Sequence, residues 1–172
     1  MTEKLFGALE AGGTKMVCAI LNEKGKILHE ATIPTTSPKE TTEKMLSFFS
    51  AYKLSALGIG TFGPVDLNPE SETYGCILNT AKLEWKGFSY FDAFKSLNIP
   101  IGIDTDVNAS CIGEITYGAS KGLKNVIYIT IGTGIGVGVF VEGKLLHGMQ
   151  HPEAGHILLS RKADDKGESS CP

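Results

Sequence analysis

Two glycine clusters, each set among strand-forming residues, constrain this chain more than any other feature. The first is Gly12-Gly13, between the apolar runs Leu5–Glu10 and Met16–Leu21. The second is Gly132-Thr133-Gly134-Ile135-Gly136-Val137-Gly138, which joins Asn125–Ile131 to Gly136–Val141. Strand, glycine turn, strand is the pattern of a hairpin. Glycine supplies 21 of the 172 residues, well above the usual share of roughly 7%. Turns without side chains also let backbone N–H groups approach a phosphate. A plain hairpin and a phosphate cradle both satisfy the glycines alone. In the first cluster Thr14 adds a hydroxyl and Lys15 a charge. Neither cluster is a Walker A loop, because GxxxxGK[ST] occurs nowhere in the chain. A dinucleotide fingerprint needs a helix after its glycines, and β-branched residues at strand spacing follow here.

Around these turns the chain alternates strands and helices. Glu23–Lys26 is a second turn and Ile27–Ile33 a third strand, so the chain opens as an antiparallel meander. Ser37-Pro38-Lys39-Glu40 opens a helix, with Ser at the N-cap, Pro first and Glu third. Met45, Phe49 and Tyr52 recur at helical spacing and are expected to face the core. Ala56–Gly60 reads as a short buried strand, Leu67–Lys86 mostly as loop, and Tyr90–Leu97 as a short helix. Ile101–Ile103 is a strand, and a helix is expected from about Asp106 to Tyr117, stopped by Gly118. The hairpin of the second glycine cluster follows, with Lys144–Leu146 near its far end. Strands interleaved with helices predict an α/β protein. Ser160–Pro172 is polar and shows no packed element.

Composition removes several classes of function. Apolar residues make up 42% and charged residues 20%, enough for an ordinary core and too apolar for disorder. The length suggests one domain, or one and a fraction. A net charge of −3 gives no electrostatic case for nucleic acid or an anionic membrane. No targeting or spanning segment is visible. Cys18, Cys76, Cys111 and Cys171 are scattered without a CxxC, which predicts free thiols in a reducing cytoplasm.

Two further clusters carry chemistry. Asp104-Thr105-Asp106-Val107-Asn108-Ala109 starts like a calcium loop. It departs from one at the sixth position, Ala109, and at the twelfth, Ile115. Asp106 before a helix reads as an N-cap. It also reads as a carboxylate at a strand end, placed to take a proton from a substrate hydroxyl; the two roles are compatible. Glu153-Ala154-Gly155-His156 follows His147 and His151. Glu and His three apart are able to hydrogen-bond vicinal hydroxyls from one side. His156 and Cys171 are zinc-type ligands, but two ligands do not make a structural zinc site.

In this order, the clusters resemble the ROK family of sugar kinases and repressors, and within it the bacterial fructokinase branch. Glu10–Lys15 is similar to its first phosphate motif, DxGGTK, and Gly63-Pro64-Val65-Asp66 to its GPVD turn. Asp104–Ala109 resembles the catalytic DNDxNA segment, Gly132–Gly138 the second phosphate motif, and Glu153–His156 the ExGH sugar and zinc motif. Glu10 replaces the usual Asp and Thr105 the usual Asn, departures that the resemblance associates with fructokinase-like members rather than glucokinases. Family members are also much longer, so this chain resembles little more than their first half.

The resemblance implies the actin-like, ribonuclease-H-like ATPase fold. It implies a small lobe over 1–117 and the start of a large lobe over 118–172. An incomplete lobe is expected to expose apolar surface and strand edges, leaving a chain that is marginally stable or pairs with a second copy. The implied reaction is phosphoryl transfer from Mg·ATP to the primary hydroxyl of a hexose, above all fructose, with Asp106 as general base. Glu153, His156 and Gly63 would join Asp106 around the sugar. Gly12, Gly13, Thr14, Lys15, Gly132, Thr133 and Gly134 would cradle the phosphates. Glu10 would order Mg²⁺ through water, and His156 and Cys171 would be part of a structural Zn²⁺ site. A homodimer is implied; nucleic acid and membrane partners are not. Two alternatives remain at this stage: a non-catalytic sugar-binding lobe, and a sugar-sensing repressor lacking its DNA-binding domain.

Overall fold

The computed structural model describes residues 3–132, 134–148, 152–157, 159–160 and 164. Leu5–Ala11 (β1), Lys15–Asn22 (β2) and Ile27–Pro34 (β3) form the expected antiparallel meander. In β1, Leu9 and Ala11 are buried and Glu10 between them is exposed, the alternation of a half-buried strand. Leu54–Thr61 (β4) and Ile101–Thr105 (β5) add in parallel on the other side of β1. The sheet order is β3-β2-β1-β4-β5.

The helix Pro38–Ser50 (α1) starts where its capping residues place it. Ser37 Oγ accepts the Glu40 N–H at 3.4 Å. The Glu40 carboxylate accepts from the Thr36 hydroxyl at 3.0 Å instead of closing back on the cap. Met45 and Phe49 are fully buried against the sheet. Tyr52 lies just beyond the helix, half-buried beside Phe48 and His29.

Between β4 and Tyr90–Phe94 (α2), regular structure is limited to one 3-10 turn at Leu83–Trp85 and isolated bridges at Val65–Ile77 and Cys76–Ser89. The loop expectation for this stretch therefore holds for its secondary structure. The segment is nonetheless packed. Ile77 and Trp85 are buried, and the Trp85 indole N–H donates to the Thr36 carbonyl at 3.0 Å. The Tyr90 and Thr61 hydroxyls share a buried hydrogen bond of 2.8 Å. Trp85 and Tyr90 both stack edge-on against Phe88, so a run of aromatic rings replaces a regular element.

The helix Asp106–Tyr117 (α3) leaves β5 without a linker. Its N-cap is Thr105, not Asp106, which corrects the capping role expected of Asp106. Thr105 is extended and its Oγ1 accepts the Asn108 N–H at 3.2 Å, while Asp106 is already the first helical residue. Gly60 lets α3 lie close on β4: a Cβ there would stand 2.6 Å from the Ala109 Cβ. On its other side α3 packs on a second, antiparallel sheet of Val126–Ile131 (β6), Ile135–Val141 (β7) and Lys144–Leu145 (β8). On β6, Ile127, Ile129 and Ile131 are 66%, 57% and 80% exposed, so this sheet shows the open apolar face expected of it. Among the described residues no helix is long and apolar enough to cross a membrane.

Cys18, Cys76 and Cys111 are free thiols. Burial pushes the Cys18 thiol up to about 12 and raises that of Cys111, so both stay protonated at neutral pH. Cys171 lies outside the described residues.

Candidate functional site

One cleft of about 930 Å³ opens between the two sheets, with the first turn of α3 along its wall. Glu10, Lys15, Gly63, Asp106, Gly132, Gly134, Glu153 and His156 all line it. Residues from opposite ends of the chain, singled out separately in the sequence, thus share one wall. Gly12, Gly13 and Thr14 sit at the adjoining β1–β2 turn and are not among the lining residues. Thr133 and Cys171 lie outside the described residues.

The β1–β2 turn is closed by its own backbone. The Gly12 N–H donates to the Lys15 carbonyl at 2.9 Å, and a Cβ on Gly12 would stand 2.7 Å from that same oxygen. Glycine is therefore required here for close approach. Thr35, just past β3, secures the turn from outside. Its hydroxyl donates to the Gly12 carbonyl at 2.8 Å and its N–H to the Thr14 carbonyl at 3.0 Å. The Lys82 side chain packs over Gly13.

The second glycine cluster divides into two jobs. Gly132 and Gly134 belong to the β6–β7 turn, closed by a 2.9 Å bond from the Gly132 N–H to the Gly134 carbonyl. A Cβ on either would meet nothing within 4 Å, so their backbone faces open space. Gly136 and Gly138 instead seat β7 against the start of α3. A Cβ on Gly138 would stand 2.6 Å from the Val107 carbonyl oxygen, and one on Gly136 would stand 2.5 Å from the Val107 side chain. Gly138 is thus a packing position, while Gly136 both packs on Val107 and lines the cleft.

Asp106 is half-buried at the first position of α3. Its Oδ1 accepts the Val107 N–H at 2.8 Å. Partial burial raises its pKa above the ordinary aspartate value, and the charges of Glu10 and Glu153 add to the rise. The Val107 N–H opposes it without cancelling it. An aspartate in this setting is a stronger base than one in water, yet close to two other carboxylates.

Glu153 and His156 flank a single 3-10 turn, Ala154–His156, whose Gly155 abuts the Ile135 carbonyl. His156 Nδ1 lies 3.3 Å from Glu153 Oε2, so the two side chains are paired with each other. Both are about half exposed, which leaves them open to a ligand from the cleft. Glu153 has a left-handed backbone, with φ of 45°, a conformation that costs a non-glycine residue about 1–3 kcal/mol.

Phe62, Thr130 and Pro152 line the cleft without a sequence signal of their own, whereas Val107 and Asn108 belong to the Asp104–Ala109 cluster. Glu10 lines the cleft with its carboxylate, an oxygen donor of the kind Mg²⁺ takes through its own water shell. Zinc is not supported in the same way. Among the described residues no group of three His, Cys, Asp or Glu side chains could hold a metal ion, and the expected partner of His156, Cys171, lies outside them.

This sheet order, with a hairpin turn and a helix-borne aspartate at a cleft between two sheets, is the actin-like ATPase fold of sugar kinases. The chain belongs to the ROK family, whose profile matches residues 6–172. A Bacillus subtilis relative is 48% identical over 169 residues, covering 98% of this chain and 56% of the relative. A fructokinase of Pediococcus pentosaceus is 43% identical over 169 residues, covering 98% of this chain and 59% of its own length. Among solved structures, the Streptomyces griseus ROK family glucokinase in complex with glucose and AMPPNP superposes with a TM-score of 0.76 at 27% identity. That match covers 92% of this chain and 51% of the glucokinase. The chain thus spans a little over half the length of the curated relatives it matches.

Proposed function

We propose that this chain serves ATP-dependent phosphorylation of a hexose, D-fructose to D-fructose 6-phosphate. The observation that carries the reading is the convergence of Asp106, Glu153, His156 and the β6–β7 glycine turn on one cleft. Fructokinases 40–48% identical over almost the whole chain support the sugar, and the glucokinase bound to glucose and AMPPNP supports the nucleotide. In this reading residues 1–117 form the small lobe and 118–172 begin the large one.

The roles follow from placement. Asp106 accepts the proton of the sugar's primary hydroxyl. That oxygen forms a bond to the γ-phosphorus, the bond from phosphorus to the bridging oxygen breaks, and ADP leaves. Glu153 and His156 exchange their mutual contact for the ring hydroxyls, with Gly63 beside them. The main chain of Gly12, Gly13, Gly132 and Gly134, with Thr14, Thr133 and Lys15, holds the phosphates. Glu10 holds Mg²⁺ through water; the ion, when bound, neutralises phosphate charge. Most of the catalysis is positioning, which suits a cleft built of short turns rather than long side chains.

The test is ADP release with Mg·ATP and fructose, with glucose and mannose in parallel. Fructose is expected to raise the rate at least tenfold over the sugar-free rate, and more than either aldose does. ADP release that ignores sugar would overturn the reading. A folded chain that binds fructose without consuming ATP would instead mark a non-catalytic sugar-binding lobe.

A further inference from the structure

A hydrogen-bonded cluster at the base of α3 joins the two sheets, and its Asp104 and His147 have no role in the reading above. Asp104 is the penultimate residue of β5, two before Asp106. Its Oδ1 accepts from the Thr105 N–H at 2.7 Å and from Asn108 Nδ2 at 2.8 Å. Its Oδ2 lies 2.8 Å from His147 Nε2. His147 stands two residues after β8, beside β7, the strand whose Ile135 carbonyl abuts Gly155 of the Glu153–His156 turn. Leu146, its neighbour, is tied back to β7 by a 2.8 Å bond from its N–H to the Val139 carbonyl.

The chemistry of the pair fixes its direction. An ionised carboxylate only accepts, so His147 Nε2 carries the hydrogen. Both Asp104 oxygens are then engaged. One holds the first turn of α3 through Asn108, which is fully buried. The other holds the strand exit of the opposite sheet through His147. Asp106 stands between Asp104 and Asn108 in sequence, so the cluster grips the turn that carries it.

We propose that His147 is a positioning residue: its hydrogen bond to Asp104 sets the spacing between Asp106 and the Glu153–His156 turn. The inference rests on the kinase reading, because only a sugar held from both sides makes that spacing matter. A shift of about 1 Å between reacting groups can cost about 100-fold in rate. His147 is more than one-third exposed, so its loss removes little packing. Its effect is therefore expected in turnover rather than in folding.

The experiment compares wild type, His147→Ala, His147→Gln and Asp104→Asn. Each variant is measured for kcat, for KM of fructose and ATP, and for thermal midpoint. His147→Ala is expected to lower kcat 10- to 100-fold, with the ATP KM and the midpoint nearly unchanged. His147→Gln places an amide N–H near the lost Nε2–H and is expected to recover most of the rate. The His147→Ala, Asp104→Asn double variant is expected to be no worse than its weaker parent. A His147→Ala enzyme with wild-type kcat overturns the positioning role and leaves the kinase reading intact. A lowered midpoint with matching loss of all parameters, unrescued by glutamine, overturns it in favour of a structural contact. A folded wild type that consumes no ATP with any hexose overturns the kinase reading, and the positioning role with it.

Discussion

Asp106→Ala is expected to lower kcat by about 10²–10⁴-fold, the usual range for a general base, while fructose affinity changes little. In the proposed reading Asp106 meets the reacting hydroxyl, while Glu153 and His156 hold the sugar and are unchanged by the substitution. The pH profile carries a second signature. Partial burial raises the Asp106 pKa, with Glu10 and Glu153 adding to it. The base is active only when ionised, so the acid limb of kcat/KM should lie above about 3.9, the value of an unperturbed aspartate. Glu10→Gln should move that limb down, since it removes one of the charges that raises it. Stability should respond in the opposite sense. Folding raises this pKa, so the folded chain holds the proton more tightly than the unfolded one. The favourable contribution is complete below the unfolded value and is lost as pH rises through the folded one. At neutral pH Asp106→Asn should therefore match or exceed the wild type in thermal midpoint while losing activity. Chemical denaturation and initial rates on the same preparations would check both. An Asp106→Ala enzyme within threefold of wild-type kcat would sink the base assignment.

Gly138→Ala is expected to destabilise the chain strongly. Its Cβ would stand 2.6 Å from the Val107 carbonyl oxygen, 3.0 Å from the carbonyl carbon and 3.2 Å from Asn108 Oδ1. Two of these atoms are backbone, which cannot rotate away as a side-chain tip can. β7 and the first turn of α3 must part. Overpacking of this kind costs about 1–3 kcal/mol or more, or a fall of about 3–10 °C in thermal midpoint for a chain of this size. Because the displaced turn carries Asp106, kcat should fall with it, by about 100-fold for a shift of 1 Å. Gly113→Ala is the control. It lies exposed within α3, nothing stands within 4 Å of its Cβ, and the change should stabilise by up to about 1 kcal/mol. Equal midpoints for Gly138→Ala and wild type would show that β7 and α3 are not packed as described.

Local signals carried much of this architecture. Alternation placed β1, β2 and β3, Ser37-Pro38 placed the start of α1, and Gly118 placed the end of α3. Each depends on residues a few positions apart, where periodicity and capping operate. The remainder depends on contacts across the chain. Thr35 securing the Gly12 turn, Trp85 reaching Thr36 and His147 reaching Asp104 leave no periodic trace. Gly136 and Gly138 carry a packing role that the glycine pattern alone does not show. Strand spacing puts both on the face that meets α3, and only the structure shows that a helix lies there. The cap assignment failed for a subtler reason. Thr105 and Asp106 are both good caps, and the chain turns helical one residue later than Thr105, not after Asp106.

In the proposed reaction this cleft transfers a phosphoryl group to the sugar hydroxyl beside Asp106. The most direct measurement is ³¹P NMR of the protein with Mg·ATP and fructose. A phosphomonoester at C6 of fructose is expected, growing one-for-one with ADP and at least about 100-fold more slowly in Asp106→Ala. A phosphate on another hydroxyl, or ADP accumulating with inorganic phosphate and no ester, would contradict it.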